Sequence, residues 1–277
     1  MVKKYDTYCH KDELEYNKAL IEAGFHAQDK KESKQQKYNG MVSKCTFCGY
    51  GKTNAVDHDR IIYSNTEYML IERLFSFDRK LDPRQDNPAK QRATSQSFIH
   101  VLVIPTAHIA SVISLSNLQG VVPKMKQFFD GYLEHKGRYS EDATIAFEDG
   151  TKTKTKQSKA MVDLITREIR KTEQLMKTNE KITADDKKEI SQHMTTMIKA
   201  TENVKSDSSS FDFFFHLTPS IWHLHMHVAL AGKDARRFSS AAMDEHSIGA
   251  EIAMDQANDI NNKGKCKLFS FKDLGHD

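Results

Sequence analysis

Residues 220–228 read Ser220-Ile221-Trp222-His223-Leu224-His225-Met226-His227-Val228, with histidine alternating with apolar residues in the second half. An extended chain turns successive side chains to opposite faces, so His223, His225 and His227 share one face while Leu224, Met226 and Val228 share the other. One face of such a strand is a piece of core, and the other is a row of imidazoles. Three imidazoles in a row serve as metal ligands, as a nucleophile and hydrogen-bond donors for a phosphate, or as satisfied interior residues. A lone histidine among apolar residues is usually of the last kind, whereas three in strict alternation favour a chemical role.

Outward from this stretch the chain divides into recognisable elements. Phe211–Leu217 and Ile221–Leu230 read as the two most apolar strands, and Arg60–Tyr63, Tyr68–Phe75 and Phe98–Ile104 read as further strands from their β-branched and aromatic residues. Between them Asp78–Ser97, with Pro83 and Pro88, is a long polar loop. A capping pattern of Ser116 and Gln119 precedes Leu118, Val121, Val122, Met125, Phe128, Phe129 and Tyr132, which recur at helical spacing and need a sheet to pack on. Ala143–Phe147 reads as a strand, and Thr151–Lys156, TKTKTK, reads as an exposed, mobile low-complexity run. From 157 to 203 two amphipathic helices are expected: Met161, Ile165 and Ile169 lie on the first, and Ile190, Met194, Met197 and Ile198 follow a Thr183 N-cap on the second.

These elements predict an α+β fold, a mainly antiparallel sheet of about five strands with a packed helix and a helical insertion. The expected division is a polar N-terminal arm at 1–40, a domain at 41–240 with the insertion at about 150–205, and a C-terminal extension at 241–277. With 41 Lys and Arg against 38 Asp and Glu, the formal net charge is only +3, so no global field marks a nucleic-acid coat or a membrane-surface protein. Anions must be bound locally. The absence of a long apolar run makes a membrane span unexpected and a cytoplasmic, intracellular protein the default, with the nucleus left open. Of the cysteines Cys9, Cys45, Cys48 and Cys266, only Cys45-Thr46-Phe47-Cys48 forms a pattern, two thiolates close enough to share a tetrahedral metal or a buried pair of small side chains.

The His-x-His-x-His stretch followed by apolar residues resembles the signature of the histidine triad (HIT) superfamily of nucleotide hydrolases and transferases. Phe98-Ile99-His100-Val101-Leu102-Val103-Ile104-Pro105-Thr106-Ala107-His108-Ile109 is similar to the family's strand and turn, and Cys45-Thr46-Phe47-Cys48 to the opening of its zinc-containing members. Pro219-Ser220 is reminiscent of the scavenger decapping and aprataxin-like branches. The resemblance covers about 45–135 and 211–232. The arm, the 140–205 insertion and the tail fall outside it, and Ala231-Gly232-Lys233-Asp234 departs from the family's Gly-Gly-Arg.

The resemblance implies that His225 attacks the α-phosphorus of a nucleotide, that His227 donates to a non-bridging phosphate oxygen, and that Ser220 orients the leaving group. It further implies a structural zinc held by Cys45, Cys48, His108 and His223, with His58 and His100 as alternative ligands. His216 and Glu72 are expected to contact phosphate and ribose, and the basic loop Arg79–Arg92 to select an anionic substrate. Many members are homodimers, and a nucleotide is the expected ligand. Two readings from different classes follow: a nucleotidyl hydrolase or transferase acting on a phosphoramidate, dinucleoside polyphosphate or nucleotide-adenylate, and a zinc-stabilised nucleotide- or RNA-binding module with little turnover. A catalytic zinc held by His223, His225 and His227 is disfavoured because it leaves Cys45 and Cys48 unexplained.

Overall fold

The computed structural model describes residues 45, 47, 59–73, 76–81, 97–107, 118–202, 204–216, 223–231 and 247–250. The strand-forming runs assemble as β1 (Ile61–Ser64), β2 (Tyr68–Glu72) and β3 (His100–Pro105). Helix α1 (Leu118–Lys136) follows, then a hairpin of β4 (Ser140–Ala146) and β5 (Lys152–Ser158), then helices α2 (Lys159–Thr178) and α3 (Ala184–Ala200). The chain returns to the sheet with β6 (Phe211–His216), β7 (Met226–Leu230) and β8 (Ser247–Gly249). Among the described residues the main sheet runs β1-β2-β3-β7-β6-β8, with every neighbour antiparallel. The α+β reading holds. A short sixth strand at the edge comes from within 241–277, the segment expected as an extension.

Side-chain alternation gives this sheet two different faces. Leu70 on β2, Val101 and Val103 on β3, and Met226 and Val228 on β7 enter one apolar cluster with Val122, Met125 and Phe129 of α1. Ile71, Leu102 and Ile104 point the other way and close a smaller cluster around Phe47. The first face is covered by helices; the second carries His227, which pairs across the strands with Leu102.

The helical segment shares this core. Met161, Ile165 and Ile169 of α2 and Ile190, Met194 and Ile198 of α3 are buried in the same cluster as the sheet, each burial contributing about 1.5–3 kcal/mol. Helix α2 starts at Ser158, whose hydroxyl accepts from the Met161 N–H at 3.2 Å. Helix α3 starts at Thr183, as its sequence predicts, with a reciprocal capping box to Asp186.

The TKTKTK expectation is corrected: Lys152–Ser158 is a strand paired residue for residue with Ser140–Ala146. Strand period turns Lys152, Lys154 and Lys156 outward and places Thr155 and Gln157 in the interior. The hairpin closes through Gly150, whose φ of +85° favours glycine, while the Asp149 carboxylate accepts from the Thr151 N–H at 2.8 Å. Asp149-Gly150 is a turn signal that composition alone hides.

Candidate active site

The three histidines bridge a loop and a strand. His223 and His225 precede β7 and His227 is its second residue, so the expected strand Ile221–Leu230 is shortened at its start. The reason is local: the His223 carbonyl accepts from the His225 ring, Nδ1 to oxygen 2.6 Å, instead of pairing with a neighbouring strand. All three rings are buried, at 1%, 7% and 3% exposure for His223, His225 and His227.

Each ring is held differently, and the partners fix the tautomers. A carbonyl only accepts, so His225 carries its proton on Nδ1 and keeps a lone pair on Nε2. Burial pushes this imidazole down to about 4, with His223 and Arg73 acting in the same direction and the bond to the His223 carbonyl opposing them. His225 is therefore neutral at physiological pH. His223 donates from Nε2 to the Pro105 carbonyl at the end of β3, 2.9 Å away, which leaves the Nδ1 lone pair 3.3 Å from the Cys45 sulfur. His227 meets His100 through Nδ1, at 2.9 Å from His100 Nε2, and stacks on Phe214 at 5.0 Å and 17°.

Two of the four zinc ligands read from the resemblance are thus side by side. A thiol sulfur faces an imidazole lone pair whose opposite nitrogen is anchored by a carbonyl, which is the donor set and outer-shell arrangement that zinc sites use. Cys48, His108 and the alternative His58 lie outside the described residues, as does Ser220. Among the described residues no group of three His, Cys, Asp or Glu side chains is placed to hold one metal, and the Nδ1 atoms of His223, His225 and His227 turn to three different partners. His100 is not beside Cys45: it lies between Arg73 and His227.

The remaining expected contacts separate from the histidines. Glu72 pairs in register with Val101, on the helix-covered face, and its carboxylate accepts from Arg167 Nη1 of α2 at 2.8 Å. The strand period thus puts Glu72 on the opposite side of the sheet from His227. His216 ends β6, with its backbone paired to Ser247. Of the basic loop, Lys80 bonds Asp186 at 2.7 Å and Glu189 at 2.5 Å on α3, while 82–92 fall outside the described residues.

Three residues at this site carried no functional signal in the sequence. Phe47 stands edge-on to His223 and His225, at 5.7 and 5.4 Å, and shields both from water. Arg73, the residue after β2, reaches His100 Nδ1 at 3.1 Å. Phe214 fixes the plane of the His227 ring. The strand period after Leu70 assigns Arg73 a face, but only β2–β3 register names its neighbour.

An antiparallel sheet with helices on one face and a buried, carbonyl-anchored histidine set on the other defines a histidine-triad class of protein. Residues 125–241, which contain His223, His225 and His227, match the family model described as scavenger mRNA decapping enzyme C-term binding, and this match supports the histidine triad superfamily. It runs through the hairpin, α2 and α3, segments that the motifs by themselves had set outside the resemblance, and it begins after the Cys45 and Pro105 segments. No curated protein matches the sequence. A solved structure of a hypothetical histidine triad nucleotide-binding protein from Sulfolobus tokodaii strain7 aligns with 80% of this chain and 98% of its own at 9% identity. Its TM-score is 0.24, so the superposition adds no weight. No helix among the described residues is long and apolar enough to cross a membrane.

Proposed function

We propose that this protein is a nucleotidyl hydrolase or transferase that cleaves a nucleoside phosphate conjugate through a covalent intermediate on His225. The observation that carries the reading is the 2.6 Å bond from His225 Nδ1–H to the His223 carbonyl. It leaves the Nε2 lone pair as the reactive atom and steadies the positive charge the ring acquires on attack.

In the proposed first step the Nε2 lone pair forms a bond to the α-phosphorus while the bond from phosphorus to the leaving group breaks, its electron pair departing with that group. Ser220 orients the group as it leaves and accepts a proton from solvent. His227 donates to a non-bridging oxygen and stabilises the charge that builds there. Water, or another acceptor, then attacks the phosphorus, the bond to Nε2 breaks, and the neutral imidazole is restored. Phe47 over His225 favours this chemistry by keeping bulk water off the ring. Cys45, Cys48, His108 and His223 would hold a zinc ion that braces the segment before β7.

The test is product analysis by liquid chromatography and mass spectrometry. Wild type and His225→Asn are incubated with adenosine phosphoramidate, diadenosine polyphosphate, adenylated DNA and cap dinucleotide. Turnover that vanishes in His225→Asn, with a nucleotidyl adduct mapped to His225, is the expected result. If both proteins leave every substrate intact and bind nucleotide equally well, the nucleotide- or RNA-binding module takes the place of the enzyme.

A further inference from the structure

We infer that Arg73 is a positioning residue that sets, through His100, which nitrogen of His227 carries its proton. The geometry stands by itself; its catalytic consequence rests on the nucleotidyl-transfer reading above.

A guanidinium group has donors and no acceptor. Arg73 Nη1 lies 3.1 Å from His100 Nδ1 and 3.3 Å from His100 Nε2, and His100 Nε2 lies 2.9 Å from His227 Nδ1. Each unprotonated ring nitrogen offers one in-plane lone pair. If Arg73 donated to His100 Nε2, that lone pair would be taken, and His227 Nδ1 would face it with no bond to make. If Arg73 donates to Nδ1, the shorter contact, the chain closes: His100 holds its proton on Nε2 and donates it to His227 Nδ1. Neutral His227 must then carry its proton on Nε2. That is the form able to donate to a phosphate oxygen.

The fold builds this relay from elements far apart in sequence. Glu72 closes β2 opposite Val101, so the next residue, Arg73, falls beside His100 on the histidine face. Leu102 pairs with His227 on the same face, and Phe214, paired with His227 from the other side, stacks on its ring. A guanidinium beside His100 also disfavours a second positive charge there, which keeps the relay in its neutral, directional form. The arrangement parallels the way a buried partner selects the productive tautomer of a catalytic histidine.

The test reads tautomers directly. Protein labelled with nitrogen-15 histidine is examined by long-range proton–nitrogen correlation at pH 7.5, with His100→Asn and His227→Asn assigning the two rings. Wild type is expected to show both as Nε2–H tautomers. Arg73→Met is expected to mix the tautomers of both rings, Arg73→Gln to mix them partly because an amide donates or accepts, and Arg73→Lys to keep the wild-type pattern. A wild-type His227 protonated on Nδ1, or tautomers unchanged in Arg73→Met, overturns the inference. The wild-type spectrum can refute it whether or not Arg73→Met folds. With adenosine phosphoramidate, Arg73→Met is expected to lower kcat by about tenfold or more while KM stays within about twofold, and Arg73→Lys to recover most of the loss. If wild type turns over no substrate, the nucleotidyl-transfer reading fails while the tautomer pattern still decides the role of Arg73.

Discussion

Glu168 on α2 makes stability depend on pH in a direction opposite to most carboxylates. Its side chain is 5% exposed, its Oε1 accepts from the Phe77 N–H at 3.3 Å and its Oε2 is bonded by Lys171. Burial nevertheless outweighs both partners and pushes the carboxyl from 4.5 up to about 7. A folded pKa above the unfolded one means the native state holds the proton more tightly. The associated stability is full below about 4.5 and is lost as pH rises through 7. The shift corresponds to about 3 kcal/mol in all, of which about 2 to 3 kcal/mol disappears between pH 5 and pH 8. Glu168→Gln keeps the shape and cannot ionise. The constant cost of its altered contact with Lys171 cancels when stabilities are compared across pH. Urea unfolding followed by circular dichroism at pH 5, 6, 7 and 8 should show wild type losing about 2 to 3 kcal/mol relative to Glu168→Gln over this range. A wild-type minus variant difference that stays flat with pH would refute the reasoning, because Lys171 would then be holding Glu168 ionised throughout.

Other expectations follow from single contacts. Thr183→Ala removes both halves of the capping box at the start of α3 and should cost about 1 kcal/mol in urea unfolding; a loss under a few tenths would mean the cap is not carrying the helix start. Glu72→Gln and Arg167→Met break one ion pair, 2.8 Å long and at most a quarter exposed. In a double-mutant cycle their stability losses should overlap rather than add, and Glu72→Gln should leave KM unchanged; a raised KM with unchanged stability would return Glu72 to the substrate. If Cys45 and His223 belong to a zinc site, elemental analysis should find about one zinc per chain, and Cys45→Ser or a chelator should lower it together with the unfolding temperature. Metal-free protein of undiminished stability would remove zinc from the architecture.

Much of the fold was readable because it is written in local periodicity. Met161, Ile165 and Ile169 recur at helical spacing and are buried along α2, and Thr183 followed by Asp186 announced the start of α3. The triad was readable for the same reason, since alternation by itself places His223, His225 and His227 together. The TKTKTK run misled because lysine is a poor strand former taken singly. Its threonine and glutamine partners on the inner face, and the Asp149-Gly150 turn before it, outweigh that preference once β4 lies alongside.

By itself, then, the amino-acid sequence determined the element types, the helix starts and the residues able to do phosphate chemistry, because each depends on neighbours within a few positions along the chain. Tertiary structure decided which of those residues meet. His100 sits 127 positions before His227 yet bonds its ring, while Glu72, directly before Arg73, is carried to the far face of the sheet and held by Arg167. The face an isolated strand residue takes is a matter of counting by two. Which ring, cation or sulfur waits on that face depends on strand register and helix packing, and those are settled only when the whole core closes.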